Sequence, residues 1–257
     1  MTPPASKPRP RPGKKLLNHD RRIARFVAGV DEAGRGSLAG PLVAAAVVLD
    51  LQRLTGPEAA ALGHLDDSKK LAPDVRDRLY RVVLSRARDI SVALVPAPTI
   101  DREGLHRCNI KAMRRALERL TSPVEVMLVD GFQLEPVELL GCGTRFDCRK
   151  VIRGDATSAA IAAGAIVAKV TRDRLMARLD EETDHRWAFS EHHGYATELH
   201  AERIRLHGTS HHHRMSYEAQ AYVGAKVCEL PAPGTRTTWH LRAGAPVAAG
   251  YGLATAE

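Results

Sequence analysis

The chain has 257 residues, 44% of them hydrophobic and 26% charged, with 20 Gly, 15 Pro and 4 Cys. This is a globular composition, and it excludes a collagen-like repeat, a disulfide scaffold and wholesale disorder. The net charge of +8 is concentrated in residues 1–25, where eight Lys/Arg face the single acid Asp20, while residues 26–225 carry 27 basic and 27 acidic side chains.

In chain order, residues 1–25 are rich in Pro and Arg and lack the hydrophobic stretch of a secretory signal. They read as a disordered basic arm, either an electrostatic tether for nucleic acid or a solvated tail. The folded body is expected at 26–222. "FVAGVDEAGRGSLAGPLVAAAVVLD" (26–50) gives two nearly continuous apolar runs separated by Gly and Pro, the pattern of strands covered on both faces. Residues 72–89 follow as a helix opened by Pro73, then a third strand at 90–96 and a helix at 99–120 with Ile110, Met113, Leu117 and Leu120 on one face. "EVMLVDG" (125–131) is a fourth strand and "CRKVIRGD" (148–155) a fifth. The Ala-rich run 156–182 is a long helix, buried in its first half, and 195–208 is a shorter one. Residues 223–257, rich in Ala, Gly, Pro and Thr, read as a flexible tail. The order of elements argues for an α/β body with a helical C-terminal part. No apolar run reaches the ~20 residues of a membrane helix, and the four cysteines lack a tight spacing, as expected of reduced thiols in a cytoplasmic protein with no membrane partner.

Asp31 and Glu32 close the first strand and Asp130 closes the fourth, the position at which α/β sheets present functional groups. Asp173 lies in the long helix just after "AIVAKV", where an apolar face turns polar. A single carboxylate at a strand end often does no more than cap a turn. Several acids grouped in apolar surroundings instead suit a hard cation such as Mg²⁺. Two such ions about 4 Å apart activate water and stabilise the leaving oxygen in phosphoryl hydrolysis. Eight of the twelve histidines fall between 185 and 213, but no cysteine stands near them at zinc-finger spacing.

"GVDEAGRG" (29–36), "LAGPLVAAAVVL" (38–49), "LDDSKKL" (65–71), "IDREGLHRCNIKAM" (100–113), "VDG" (129–131), "IRGDATSAAIAAGAIVAKVTRDRLM" (152–176), "HHGYATELH" (192–200) and "HHHRMSY" (211–217) occur in this order. Over roughly residues 26–220 the chain resembles the ribonuclease HII family. The resemblance implies a ribonuclease H-like mixed five-stranded sheet flanked by helices, with a C-terminal helical extension. It implies Mg²⁺- or Mn²⁺-dependent hydrolysis of RNA paired with DNA, and cleavage 5′ to a single ribonucleotide in duplex DNA, leaving a 3′-hydroxyl and a 5′-phosphate. It assigns the metal-site acids to Asp31, Glu32, Asp130 and Asp173. It also places Gly34, Arg35 and Gly36 on the ribose 2′-hydroxyl, the group that distinguishes RNA from DNA. Tyr195 falls on the neighbouring sugar. Lys69, Arg153 and Ser158 are candidate phosphate contacts, Ser158 through a helix N-terminus. Each of these side chains also has a plain structural reading: a tight turn for the glycines, a half-buried tyrosine, solvated surface charges. The expected assembly is a monomer acting on RNA/DNA hybrid and ribonucleotide-containing duplex. An inert binding module carried by the basic arm, and a two-metal nuclease acting on DNA alone, are the competing classes.

Overall fold

The computed structural model describes residues 12–54, 56–140, 143–226 and the backbone of 253–255. The elements in order are α1 (Gly13–Arg21), β1 (Phe26–Ala33), β2 (Leu42–Asp50), α2 (Gly56–Leu62), α3 (Pro73–Arg86), β3 (Asp89–Val95), α4 (Ala97–Glu103), α5 (Leu105–Glu118), β4 (Val126–Asp130), β5 (Val137–Glu138), β6 (Arg145–Phe146), β7 (Cys148–Val151), α6 (Ala159–Glu182), α7 (Phe189–His192), α8 (Glu198–His207) and β8 (Leu253–Thr255). The body contributes five strands to one mixed sheet and β8 adds a sixth at the β3 edge, in the order β7-β4-β1-β2-β3-β8. β1, β4 and β7 run parallel, and β2 is antiparallel to both β1 and β3.

The sheet is covered on both faces, as the unbroken apolar runs require. One face packs Val27, Val43, Val47 and Leu128 under α6, with α1 and α3 beside it. The other packs Val30, Ala44, Met127 and Val129 against Met113, Leu117 and other residues of α5. Every residue of β2 is buried. The first ten residues of α6 are also buried, and small side chains let it approach the sheet closely. A Cβ on Gly29 would lie 2.2 Å from the Ile161 nitrogen, so at this crossing backbone meets backbone. A third cluster, Ala39, Met176, Leu179, Trp187 and Phe189, ties the C-terminal helices to the distal end of α6. No described helix is long and apolar enough to cross a membrane.

Three expectations are corrected. Residues 13–21, assigned to a disordered arm by charge and proline content, form α1, with Leu16, Leu17 and Asp20 buried and Lys14, Lys15 and Arg21 outward. The alternation of basic with apolar residues is amphipathic, and the tertiary contact decides the outcome. Residues 1–11 lie outside the described residues. The helix expected over 99–120 breaks into α4 and α5 at Gly104, whose φ of 84° suits glycine. In the segment read as a tail, Leu253–Thr255 pairs parallel with β3, while 227–252 and 256–257 lie outside the described residues.

Candidate active site

The parallel trio β1, β4 and β7 carries the site at its carboxyl ends. The register pairs Val30 with Val129 and Asp130 with Val151, so Asp31 and Asp130 emerge on neighbouring strands at one level. Just beyond β7, Arg153 takes a left-handed conformation (φ 52°) and turns the chain into the 3-10 turn Gly154–Ala156. The Gly154 N–H donates to Asp130 Oδ1 at 2.6 Å, bringing Asp155 beside Asp130. Gly154 has no room for a side chain, since a Cβ would sit 2.5 Å from Ile161 Cδ1.

The electrostatics report the crowding. Burial, then the charges of Glu32, Asp130 and Asp155, push the Asp31 carboxyl well above the ordinary carboxylate range. Burial and Asp130 push Glu32 up, against the opposing pull of Arg35 and Lys69. Burial raises Asp130, opposed by the Gly154 N–H and Lys69. Burial, then Asp67 and Asp130, raises Asp155. Glu32 Oε2 is buried with no hydrogen-bond partner, an acceptor left for a ligand. Four oxygen-only side chains in such surroundings fit a hard divalent cation. Among the described residues, no three acids, histidines or cysteines are already gathered closely enough to make a finished metal cage. The carboxylates line an edge rather than enclose a point.

Asp173, expected as the fourth acid, is not brought into this group. It stands on α6 about 20 Å along the axis from the helix start, at 1.5 Å per residue. Its carboxylate is engaged by Lys169 Nζ at 2.7 Å and Arg76 Nη1 at 3.2 Å. Asp155 instead stands beside Asp130 and acts on the charge of Asp31. The signal was present in the sequence: "RGD" follows a strand, so an acid at the end of a third parallel strand obeys the same rule as Asp31 and Asp130.

Ser158 is also corrected. It is fully buried and caps α6, accepting from the Ile161 N–H. Its hydroxyl donates to Asp20 at 3.0 Å, and the same carboxylate oxygen accepts from the Ala160 N–H at 2.9 Å. The anion that the helix N-terminus favours is therefore supplied by α1, and no phosphate can reach it.

A family model described as Ribonuclease HII matches residues 28–220. The chain belongs to the ribonuclease HII family. A ribonuclease HII of Salinispora tropica is 42% identical over 228 residues, covering 88% of this chain and 80% of that protein. The ribonuclease H2 of Pyrococcus horikoshii superposes with a TM-score of 0.62 at 25% identity, covering 77% of this chain and 96% of that one. Bst-RNase HIII, solved in complex with Mn²⁺, shares the fold with a TM-score of 0.54 at 18% identity over 87% of this chain and 75% of that one. The ribonuclease HII relationship makes the chain a ribonuclease H hydrolase, an endonuclease acting on the RNA strand of RNA/DNA hybrids.

Of the remaining expected residues, Lys69 and Arg35 stand close enough to the acids to act on their charge, and Arg153 adjoins Asp155. Arg35 and Gly36 are exposed on the β1–β2 loop, with the Arg35 guanidinium 4.9 Å from the Phe132 ring centroid. Gly34 is buried with φ 86°, and a Cβ there would overlap Arg172 Nε. Lys69 is exposed and its charge reaches Glu32, Asp130 and Asp155. Arg153 is exposed beside Asp155. Tyr195 is half-buried, with Lys169 Nζ and the Arg172 guanidinium 5.2 and 5.5 Å from its ring centroid. Among the described residues the histidines form no zinc site. His192 stacks on His200 at 4.1 Å, and His200 Nε2 lies 3.2 Å from His213 Nε2 in an apolar nest with Trp187 and Phe189. Arg172 and Arg214 are two fully buried guanidiniums that donate to backbone carbonyls. Arg214 belongs to the His213-Arg214 pair through which the chain resembles the family at its C-terminal end, whereas nothing in the sequence singles out Arg172.

Proposed function

We propose that Asp31, Glu32, Asp130 and Asp155 hold Mg²⁺ or Mn²⁺ and that the chain cuts 5′ to single ribonucleotides in duplex DNA as well as within hybrids, leaving a 3′-hydroxyl and a 5′-phosphate. The observation that carries this reading is the convergence of acids from the ends of β1 and β4 and from the turn that follows β7, around the buried and unpartnered Glu32 Oε2. When bound, a pair of divalent ions activates water and neutralises charge on the departing oxygen.

The chain's own residues do the rest. The Gly154 N–H holds Asp130 in one rotamer. Lys69 places a positive charge at the mouth of the acidic edge, where a phosphate would otherwise be repelled. The Arg35–Gly36 turn leaves exposed backbone to meet a sugar edge, the only part of a nucleotide that differs between RNA and DNA at a given base. Tyr195, cushioned by two cations, offers a ring face for the next sugar.

The test is a labelled DNA duplex with one ribonucleotide, incubated with Mg²⁺ or Mn²⁺ beside an all-DNA duplex and the Asp130→Asn protein. One cut 5′ to the ribonucleotide, absent from both controls, is the expected result. Cleavage of the all-DNA duplex, or binding without any cut, would overturn the reading.

A further inference from the structure

Arg214 is fully buried, and its recorded bonds all go to uncharged oxygens. Nε and Nη2 donate to the Gly40 carbonyl at 3.1 and 2.9 Å. Nη1 donates to the Arg35 carbonyl at 3.1 Å and to Tyr217 Oη at 2.9 Å. The Tyr217 hydroxyl in turn donates to the same Arg35 carbonyl at 2.9 Å. One peptide oxygen of the β1–β2 loop therefore receives two donors from the C-terminal segment.

That segment is itself anchored. Asp101 of α4 accepts from the Met215 N–H at 2.9 Å, the Ser216 N–H at 3.0 Å and the Ser216 hydroxyl at 2.6 Å. The Arg214 N–H donates to Leu38 O at 2.7 Å, and Gly40 N–H donates to His212 O at 2.8 Å. Tyr222 Oη donates to Leu38 O at 2.7 Å. Residues 212–222 thus lie as a strap across residues 35–40, with both sides fixed.

A trans peptide is planar, and its C=O and N–H point in opposite directions. With the Arg35 carbonyl turned inward to Arg214 and Tyr217, the Gly36 N–H is turned outward. Gly36 is exposed, and that N–H meets no acceptor among the described residues. We propose that Arg214 and Tyr217 are positioning residues for ribose selection: by pinning the Arg35 carbonyl they fix the Gly36 N–H as an outward donor to the sugar hydroxyl. This rests on the reading of the Gly34–Gly36 turn as the ribose-contacting element.

The experiment measures affinity in the Asp130→Asn background, where no cut occurs, for a duplex with one ribonucleotide and for its all-DNA counterpart. The ratio of the two reports ribose discrimination alone. Tyr217→Phe keeps the ring and removes one of the two donors, so the ratio should fall about fivefold, as for the loss of one net hydrogen bond. Arg214→Lys should lower it at least as far, with affinity for the all-DNA duplex unchanged in both. Tyr222→Phe, whose hydroxyl holds Leu38 rather than Arg35, should leave the ratio intact. An unchanged ratio in Tyr217→Phe, an equal loss on both duplexes, or an equal fall in Tyr222→Phe would each overturn the proposal. A ratio of one in the Asp130→Asn parent would instead show that the turn does not read ribose, and the proposal would fall with that premise. Thermal melts of each variant identify one that fails to fold, and Tyr217→Phe, which fills the same volume, then carries the decision.

Discussion

Replacing Asp31 with Asn should make the metal-free protein more stable while destroying its activity. Asp31 is buried beside Glu32, Asp130 and Asp155, and its carboxyl is held well above the ordinary range. Two carboxylates about 5 Å apart, the separation of neighbouring strands, repel by about 3 kcal/mol at an effective dielectric near 20. An amide of the same shape removes that repulsion and keeps an oxygen for the Glu32 N–H, which now donates to Asp31 Oδ1 at 2.7 Å. A net gain of about 1–3 kcal/mol follows. At roughly 2–4 °C per kcal/mol for a domain of this size, the melting temperature in EDTA at pH 7.5 should rise by about 3–10 °C. Mn²⁺ should raise the melting point of the parent and do much less for the variant. The pH dependence has a definite sign. A carboxyl raised in the folded state contributes stability in full below its unfolded value, and that contribution is lost as pH rises through the folded one. The gap between variant and parent should therefore close as pH is lowered, whatever other groups titrate in both. A variant that melts lower in EDTA, or a gap that stays constant down to pH 5, would refute the electrostatic account.

Asp155→Asn should reduce turnover by more than 100-fold in the single-ribonucleotide assay. Asp173→Asn should stay within about tenfold of the parent while lowering the melting point, because Lys169 and Arg76 lose their counter-charge. Asp20→Ala strands the Ser158 hydroxyl and the Ala160 N–H at the buried start of α6. About 2–4 kcal/mol of stability should be lost, read by urea denaturation, and an unchanged midpoint would make α1 a passenger. Burial also holds His200 down at about 4 and His212 and His213 at about 3. Their neutral forms stabilise the fold fully above the unfolded value near 6.5, and that contribution is lost as pH falls toward the folded values. Each should remove about 2 kcal/mol by pH 5, and equal stability in denaturant at pH 7.5 and 5 would contradict the burial of the nest.

Much of the fold could be read from hydrophobic runs, because both faces of the sheet are covered and the strands announce themselves as unbroken apolar segments. β1, β2, β3 and β4 lie within about two residues of where the runs place them. What escaped depends on contacts far apart in sequence. α1 looks like a charged tail until Asp20 is seen at the start of α6, 138 residues from the Ser158 hydroxyl it accepts. The long helix 99–120 looks continuous until the sign of φ at Gly104 is known. The acids divide in the same way. Asp31, Glu32 and Asp130 follow from a rule about strand ends. Asp173 reads as the fourth acid because an apolar helix face turns polar there and because the family resemblance assigns it, yet that polarity serves an ion pair with α3. The His213-Arg214 pair is legible as a family feature, but the burial of Arg214 and of Arg172 is not, since arginine in a sequence gives no hint that its partners will be carbonyl oxygens.

The contact of α6 with β1 decides how this molecule can change over generations. Where Gly29 lies against Ala160 and Ile161, even a methyl group has no space, and a Cβ on Gly164 would come within 2.8 Å of the Ala45 oxygen. Helix and strand can diverge there only together, so the spacing between Asp31 and the turn bearing Asp155 is inherited as a unit. The strap that orients the Arg35–Gly36 turn meets its target through side chains, which tolerate exchange one at a time. Random mutagenesis screened for altered sugar preference should therefore recover viable changes along residues 212–222 and almost none along the seam, leaving the hydrolytic centre constant while selectivity drifts.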